Sequence, residues 1–170
     1  MGYQSFGENQ SWSGSFEANP TISTSAYSTG HRFGSVQTLT GATRLNGSGV
    51  ILSTIKILDL SKQSAAFDFL FFNGESAPTI ASADRSAIEI TDAVMSANFA
   101  GSYHMDTTAD PYIALGTTNN NSVWTPKNGI HIHLRGNASS NNLHVVPIIR
   151  ASATFATTTA VLFYYDFLQN

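Results

Sequence analysis

Short apolar runs, separated by turn signals about every ten residues, fill this chain from Ser35 onward. That spacing leaves little room for helices and confines the chain to an all-β sandwich or barrel. Gly41, Asn46-Gly47-Ser48-Gly49 and Asn73-Gly74 punctuate the first half, and polar loops follow at 119–121 and 137–142. Between the first two signals and the third lies Val50-Ile51-Leu52-Ser53-Thr54-Ile55-Lys56-Ile57-Leu58-Asp59-Leu60. Period-2 alternation predicts a long strand with Ile51, Ile55 and Ile57 on one face and Thr54 and Lys56 on the other. Val50, Leu52, Leu58 and Leu60 flank this half-buried middle. Phe67-Asp68-Phe69-Leu70-Phe71-Phe72 is apolar on both faces, as a strand central to a sandwich would be. Further strands are expected over 112–115, 129–135, 143–155 and 160–168. One stretch, 82–98, reads as helical, capped by Ser82 or Asp84, with Ala87, Ile88, Val94 and Met95 as its apolar face. Within the all-β class the jelly roll is the reading adopted.

Residues 1–34 differ from the rest. Gly2, Gly7, Gly14, Gly30 and Gly34 alternate with Ser, Thr, Asn and single aromatics: Tyr3, Phe6, Trp12, Phe16, Tyr27 and Phe33. The small residues suit a flexible linker, whereas spaced aromatics have no use in a solvated one. Two readings stand: an arm that docks on a neighbour, with Trp12 and Phe16 as anchors, or an arm that packs on its own domain. Burying an aromatic side chain contributes about 1.5–3 kcal/mol, and ordering a backbone residue costs about 1–2 kcal/mol. On those magnitudes six anchors do not order the arm alone. The expected organisation is therefore an extended N-terminal arm over 1–34 and a single β-sandwich domain over 35–170. Deletion of residues 1–30 is then expected to leave the sandwich folded.

At the other end, Val161, Phe163, Tyr165 and Phe167 alternate with Leu162, Tyr164, Asp166 and Leu168. Both sets are largely apolar. One set covers a core, and the other must meet a second layer, the arm or another subunit. Phe163 and Tyr165 are the interaction residues expected here, and both a central and an edge position for the strand remain open.

Charge narrows the partners. Only 11% of the 170 residues are charged, against about 25% in an ordinary globular domain. After Gly136 only Arg150 and Asp166 carry charge. Interface cores are depleted of charge, so the composition suits a chain packed against other subunits, as a homo-oligomer. The net charge is −3, and the eight Lys and Arg residues are scattered. With no basic stripe, direct nucleic-acid binding is not expected. The absence of cysteine removes thiol chemistry and Cys-based zinc sites. No apolar run approaches the ~18 residues of a membrane span. Met1-Gly2-Tyr3-Gln4-Ser5-Phe6 has no basic segment leading into an apolar core, so a signal peptide is not expected.

Chemistry-bearing patterns are sparse. His131 and His133, two apart on a strand, share a face and could hold one metal, as in cupins. The cupin pattern also needs a Glu shortly afterwards, and here Leu134-Arg135-Gly136-Asn137 follows. His104 and His144 have no position fixed by the sequence. The two histidines are read as structural, with neither metal nor cofactor, and the chain as a non-enzyme. The acids are spread thinly beside turns, unlike the convergent pair of a glycosidase. No nucleophile elbow and no phosphate-binding glycine loop is present. Trp124, in the polar run Asn121-Ser122-Val123-Trp124-Thr125-Pro126, is expected in a loop. With Trp12 and the tyrosines it leaves open a sugar-stacking platform.

Two stretches carry a resemblance. One is Thr43-Arg44-Leu45-Asn46-Gly47-Ser48-Gly49-Val50-Ile51-Leu52, continuing through Ile57-Leu58-Asp59 and Lys62-Gln63-Ser64-Ala65-Ala66 into Phe67-Asp68-Phe69-Leu70-Phe71-Phe72-Asn73. The other is 146–159 with Phe167-Leu168-Gln169. Together they make residues 35–170 resemble small virion structural proteins of tailed bacteriophages. The resemblance implies a β-sandwich of jelly-roll type that decorates or cements a capsid by packing on the major capsid protein or other virion proteins. It also implies synthesis in the bacterial cytoplasm and residence in the particle. Three-fold lattice positions favour a trimer. The alternatives are a glycan- or receptor-binding module of a tail or fibre and, more remotely, a cupin-like metal enzyme.

Overall fold

The computed structural model describes residues 12–106, 113–114 and 123–169. They form two antiparallel sheets and one short helix. In the first sheet the order is β1 (Trp12–Ala18), β10 (Val161–Gln169), β4 (Gly49–Asp59), β8 (Val123–Arg135) and β7 (Ile113–Ala114). In the second it is β2 (His31–Arg32), β9 (Leu143–Ile149), β5 (Phe67–Phe72) and β6 (Phe99–Met105), with β3 (Gln37–Leu39) also paired to β9. The sheets meet across a core of aromatic side chains. Phe69 of β5 lies 5.2 Å from Phe163 and 5.8 Å from Tyr165 of β10, both edge-on. Such edge-to-face contacts place the positive rim of one ring on the negative face of another.

β5 lies between β9 and β6, the central position expected of an aromatic run. Phe67, Phe69 and Phe71 enter the core. The long strand β4 departs from its expected alternation. Val50 and Leu52 face the core, and so do Ile55 and Ile57, whereas Ile51 faces outward and is half-buried. The cause is a bulge. Opposite β10, Asp166 pairs with Thr54 and Phe167 with Leu52, so Ser53 is an extra residue. One inserted residue exchanges the two faces beyond it. The Ser53 hydroxyl occupies the irregularity by donating to the Asp166 carbonyl at 2.9 Å. On the other side of β4, Leu52 pairs with Ile132 and Thr54 with Asn128, so β8 is bulged as well. Gly129 there takes a φ of +74°, a left-handed conformation that disfavours any residue with a Cβ.

The C-terminal strand β10 is interior to its sheet, between β1 and β4. Its inward set is Val161, Phe163, Tyr165 and Phe167, all fully buried. Phe163 and Tyr165 therefore belong to the core and are not available to another subunit, which corrects their assignment as interaction residues.

The N-terminal segment is likewise part of the sandwich. β1 pairs with β10 along its whole length, Trp12 opposite Gln169 and Ala18 opposite Phe163. Phe16 packs edge-on against Phe167 at 5.7 Å. Tyr27 and Phe33 are buried in the common core, with Phe33 touching Phe67, Phe155 and Phe163. The composition shift at residue 34 is thus not a packing boundary among the described residues. Residues 1–11 and the Trp12 side chain lie outside them.

The helical expectation over 82–98 shrinks to α1 (Asp92–Asn98), capped by Thr91, whose hydroxyl accepts from the Val94 N–H. Ser82 and Asp84 cap nothing because their acceptors are used elsewhere. Asp84 takes the Tyr27 hydroxyl at 2.7 Å and the N–H groups of Ser23 and Gly34 at 2.9 and 2.7 Å. It clamps the N-terminal segment to the excursion between β5 and β6. Among the described residues no helix is long and apolar enough to cross a membrane.

Candidate interaction face

The outer faces of the two sheets differ. β9 is buried on both sides. The excursion between β5 and β6 meets β9 where His144 bonds the Gly74 carbonyl at 3.1 Å, and its residues 85–88 pair alongside β2 at the sheet edge. The outer face of the first sheet has no such cover among the described residues.

That face can be read row by row from the strand register. Leu162 of β10 stands opposite Leu58 of β4, which stands opposite Trp124 of β8. Tyr164 adds its ring to this end, 5.6 Å from Trp124 and steeply inclined to it. Trp124 is thus on a strand, half-buried, and not in the loop that its polar neighbours suggested. The middle row is polar. Asp166 accepts from Ser15 at 2.7 Å and pairs with Lys56 at 2.6 Å. The far row is Leu168 opposite Ile51, which stands opposite His133. The face is therefore two apolar ends joined by a bridged polar strip. Both charges of the strip are half-exposed, so this pair adds register more than stability. Burial, together with the Glu17 carboxylate beside it, pushes the Tyr164 hydroxyl above its ordinary value.

His131 and His133 are exposed on β8. The Nδ1 of His131 lies 3.0 Å from the Gly129 carbonyl. Both histidines project away from the core, whereas a cupin site lies inside its barrel. Among the described residues no group of three His, Asp or Glu side chains is placed to hold a metal. His104 and His144 lie on the other sheet and do not join them. His104 sits with Arg150 on Asp68: its Nδ1 is 2.5 Å from one carboxylate oxygen, and Arg150 Nε donates to the other at 2.5 Å. His144 is buried, with Thr38 Oγ1 on one ring nitrogen and the Gly74 carbonyl on the other. Both of its nitrogens are thereby used in the fold.

A polar cleft of about 250 Å³ opens at one end of the sandwich, lined by Gly41, Thr43, Arg44, Asn141 and Gln169. Its polar groups are largely committed. Gln169 Nε2 donates to the Gly41 and Ala42 carbonyls, and Thr43 Oγ1 donates to the Leu45 carbonyl. The cleft is a joint between the C-terminal strand and the loop after β3.

Sequence reasoning missed Leu58, Leu162 and Tyr164 as a set. The signal lies in Leu162 and Tyr164, in the outward-facing half of the C-terminal alternation, which like the inward half is largely apolar in sequence. No protein-family model matches the chain, and no curated protein matches it.

Proposed function

We propose that this chain is a structural subunit of a bacteriophage virion. In this reading it is a capsid decoration or cement protein that packs as a homo-oligomer on the major capsid protein or other virion proteins. It performs no catalysis, is made in the host cytoplasm and leaves with the particle. The observation that carries the reading is the character of the uncovered surface. The outer face of the first sheet is open, and Leu45 (67%), Leu60 (45%), Phe99 (39%) and Leu168 (38%) are exposed on a chain with little charge. Such a surface is suited to protein contact.

We assign the sandwich to the jelly-roll type. Its support is the order in which the chain visits the sheets. Strands β1, β4, β7, β8 and β10 fall in one sheet and β2, β3, β5, β6 and β9 in the other, with the first strand beside the last. That interleaving is what paired Greek keys would produce, and it supports the jelly-roll reading.

The second reading, a glycan-binding module of a tail or fibre, is favoured by one observation: Trp124 and Tyr164 share the open sheet face. Quantitative mass spectrometry of purified particles tests both. Copies in the hundreds support decoration, a handful per particle supports the fibre module, and absence from particles overturns the proposal.

A further inference from the structure

Strand edges are sticky unless protected, because alternate N–H and C=O groups face away from the sheet with no partner. Three of the four edges in this sandwich are protected among the described residues. β7 is two residues long, and β2 and β3 are two and three. β6 is bulged, since Phe71 pairs with Gly101 and Phe72 with Phe99, which leaves Ala100 as an extra residue that twists this edge. The fourth edge, β1, is seven residues long and, among the described residues, pairs with β10 alone. Its register is unbroken by any bulge, it contains no proline, and Glu17 is its one charge.

We propose that β1 is a self-recognition edge and that its occupant is β1 of a second copy, related by a two-fold axis through Ser15. The strand itself supports this partner. Its midpoint is Ser15, so full antiparallel overlap of two copies sets Ser15 opposite Ser15, Ser13 opposite Glu17, and Gly14 opposite Phe16. No like charges meet, since each Glu17 faces a serine. The Phe16 ring, half-buried over its own Gly14, lies beside the partner's glycine, where no side chain obstructs it. The pairing supplies about six to eight backbone hydrogen bonds, depending on which alternate groups face outward. It joins the two first sheets into one continuous sheet, with both outer faces on the same side. An edge that pairs with itself closes at two subunits, whereas the trimer suggested by lattice positions needs a heterologous contact. The inference holds whether or not the protein belongs to a virion, so particle composition and this pairing fail independently.

The chain has no cysteine, which makes the test clean. At the axis, opposed Cα atoms stand about 4.5–5.5 Å apart, within the ~4.4–6.8 Å that a disulfide spans. Full-length Ser15→Cys, oxidised at high micromolar concentration, is expected to become mostly covalent dimer. Ser13→Cys and Glu17→Cys alone are each expected to stay monomeric on denaturing gels, because like positions are about four residues apart along the pair, roughly 13 Å. Mixed together they are expected to cross-link to each other. Sedimentation of the unmodified chain is expected to show a reversible dimer. A monomer or trimer in sedimentation, or equal cross-linking at all three positions, overturns the proposal.

Discussion

Asp84 and His144 each tie together segments that are distant in the chain. Asp84 reaches donors fifty or more positions upstream, at Tyr27, Ser23 and Gly34. Burial first, and this carboxylate second, push the Tyr27 hydroxyl above its ordinary value. His144 bridges Thr38 and Gly74 from the middle of the second sheet. Its burial disfavours the imidazolium and holds its pKa below the ordinary 6.5. The unfolded chain therefore takes up a proton on this ring at a higher pH than the folded one does. The stability that the neutral ring contributes is full above about pH 6.5 and declines as pH falls from there through the lower folded value. His144→Gln should be less stable than the parent at pH 7.5, with a smaller loss of Tm on acidification to pH 5.5. Thermal melts across that range check it, and parallel profiles would show that His144 is not the titrating group.

At the scale of single elements, the bulge in β4 is the decisive local feature. It allows Val50, Leu52, Ile55 and Ile57 all to face the core although their numbers change parity. The sequence Leu52-Ser53-Thr54-Ile55 contains this switch, but period-2 reading passes through it and misplaces Ile51. Deleting Ser53 restores plain alternation, and that alternation keeps Val50, Leu52, Ile55 and Ile57 together on the core face. No buried aliphatic side chain is turned outward, so the deletion variant should still fold cooperatively. Ser53→Ala, by contrast, keeps the extra residue and loses the bond to the Asp166 carbonyl, about 1 kcal/mol. Urea denaturation of the two variants separates the role of the position from that of its hydroxyl.

For the molecule as a whole, residues 12–34 belong to the sandwich. Truncation of residues 1–30 removes β1 from the flank of β10 and Tyr27 from the core. It uncovers one side of Phe167 and leaves Asp84 without the Tyr27 hydroxyl and the Ser23 N–H. The truncated chain should be unfolded or destabilised by more than about 5 kcal/mol, since losing one buried large side chain alone costs about 3–5 kcal/mol. Circular dichroism and heat denaturation check this. A truncated protein with parental Tm would restore the independent arm.

The sequence by itself determined the all-β class, the central place of the aromatic run in β5 and the alternation of β10, because turn residues and period-2 patterning act over a few neighbouring positions. It also carried both outward and inward sets of the last strand, without saying which was which. That choice, the pairing of β1 with β10, the burial of Tyr27 and Phe33 and the three partners of the Asp84 clamp were decided by tertiary structure. Each joins residues far apart in sequence, where local composition reads Gly-, Ser- and Asn-rich whether the segment is solvated or docked. A flexible-looking segment becomes ordered when a neighbouring strand offers its backbone a ladder and its aromatics a core, and only the folded chain brings that strand alongside.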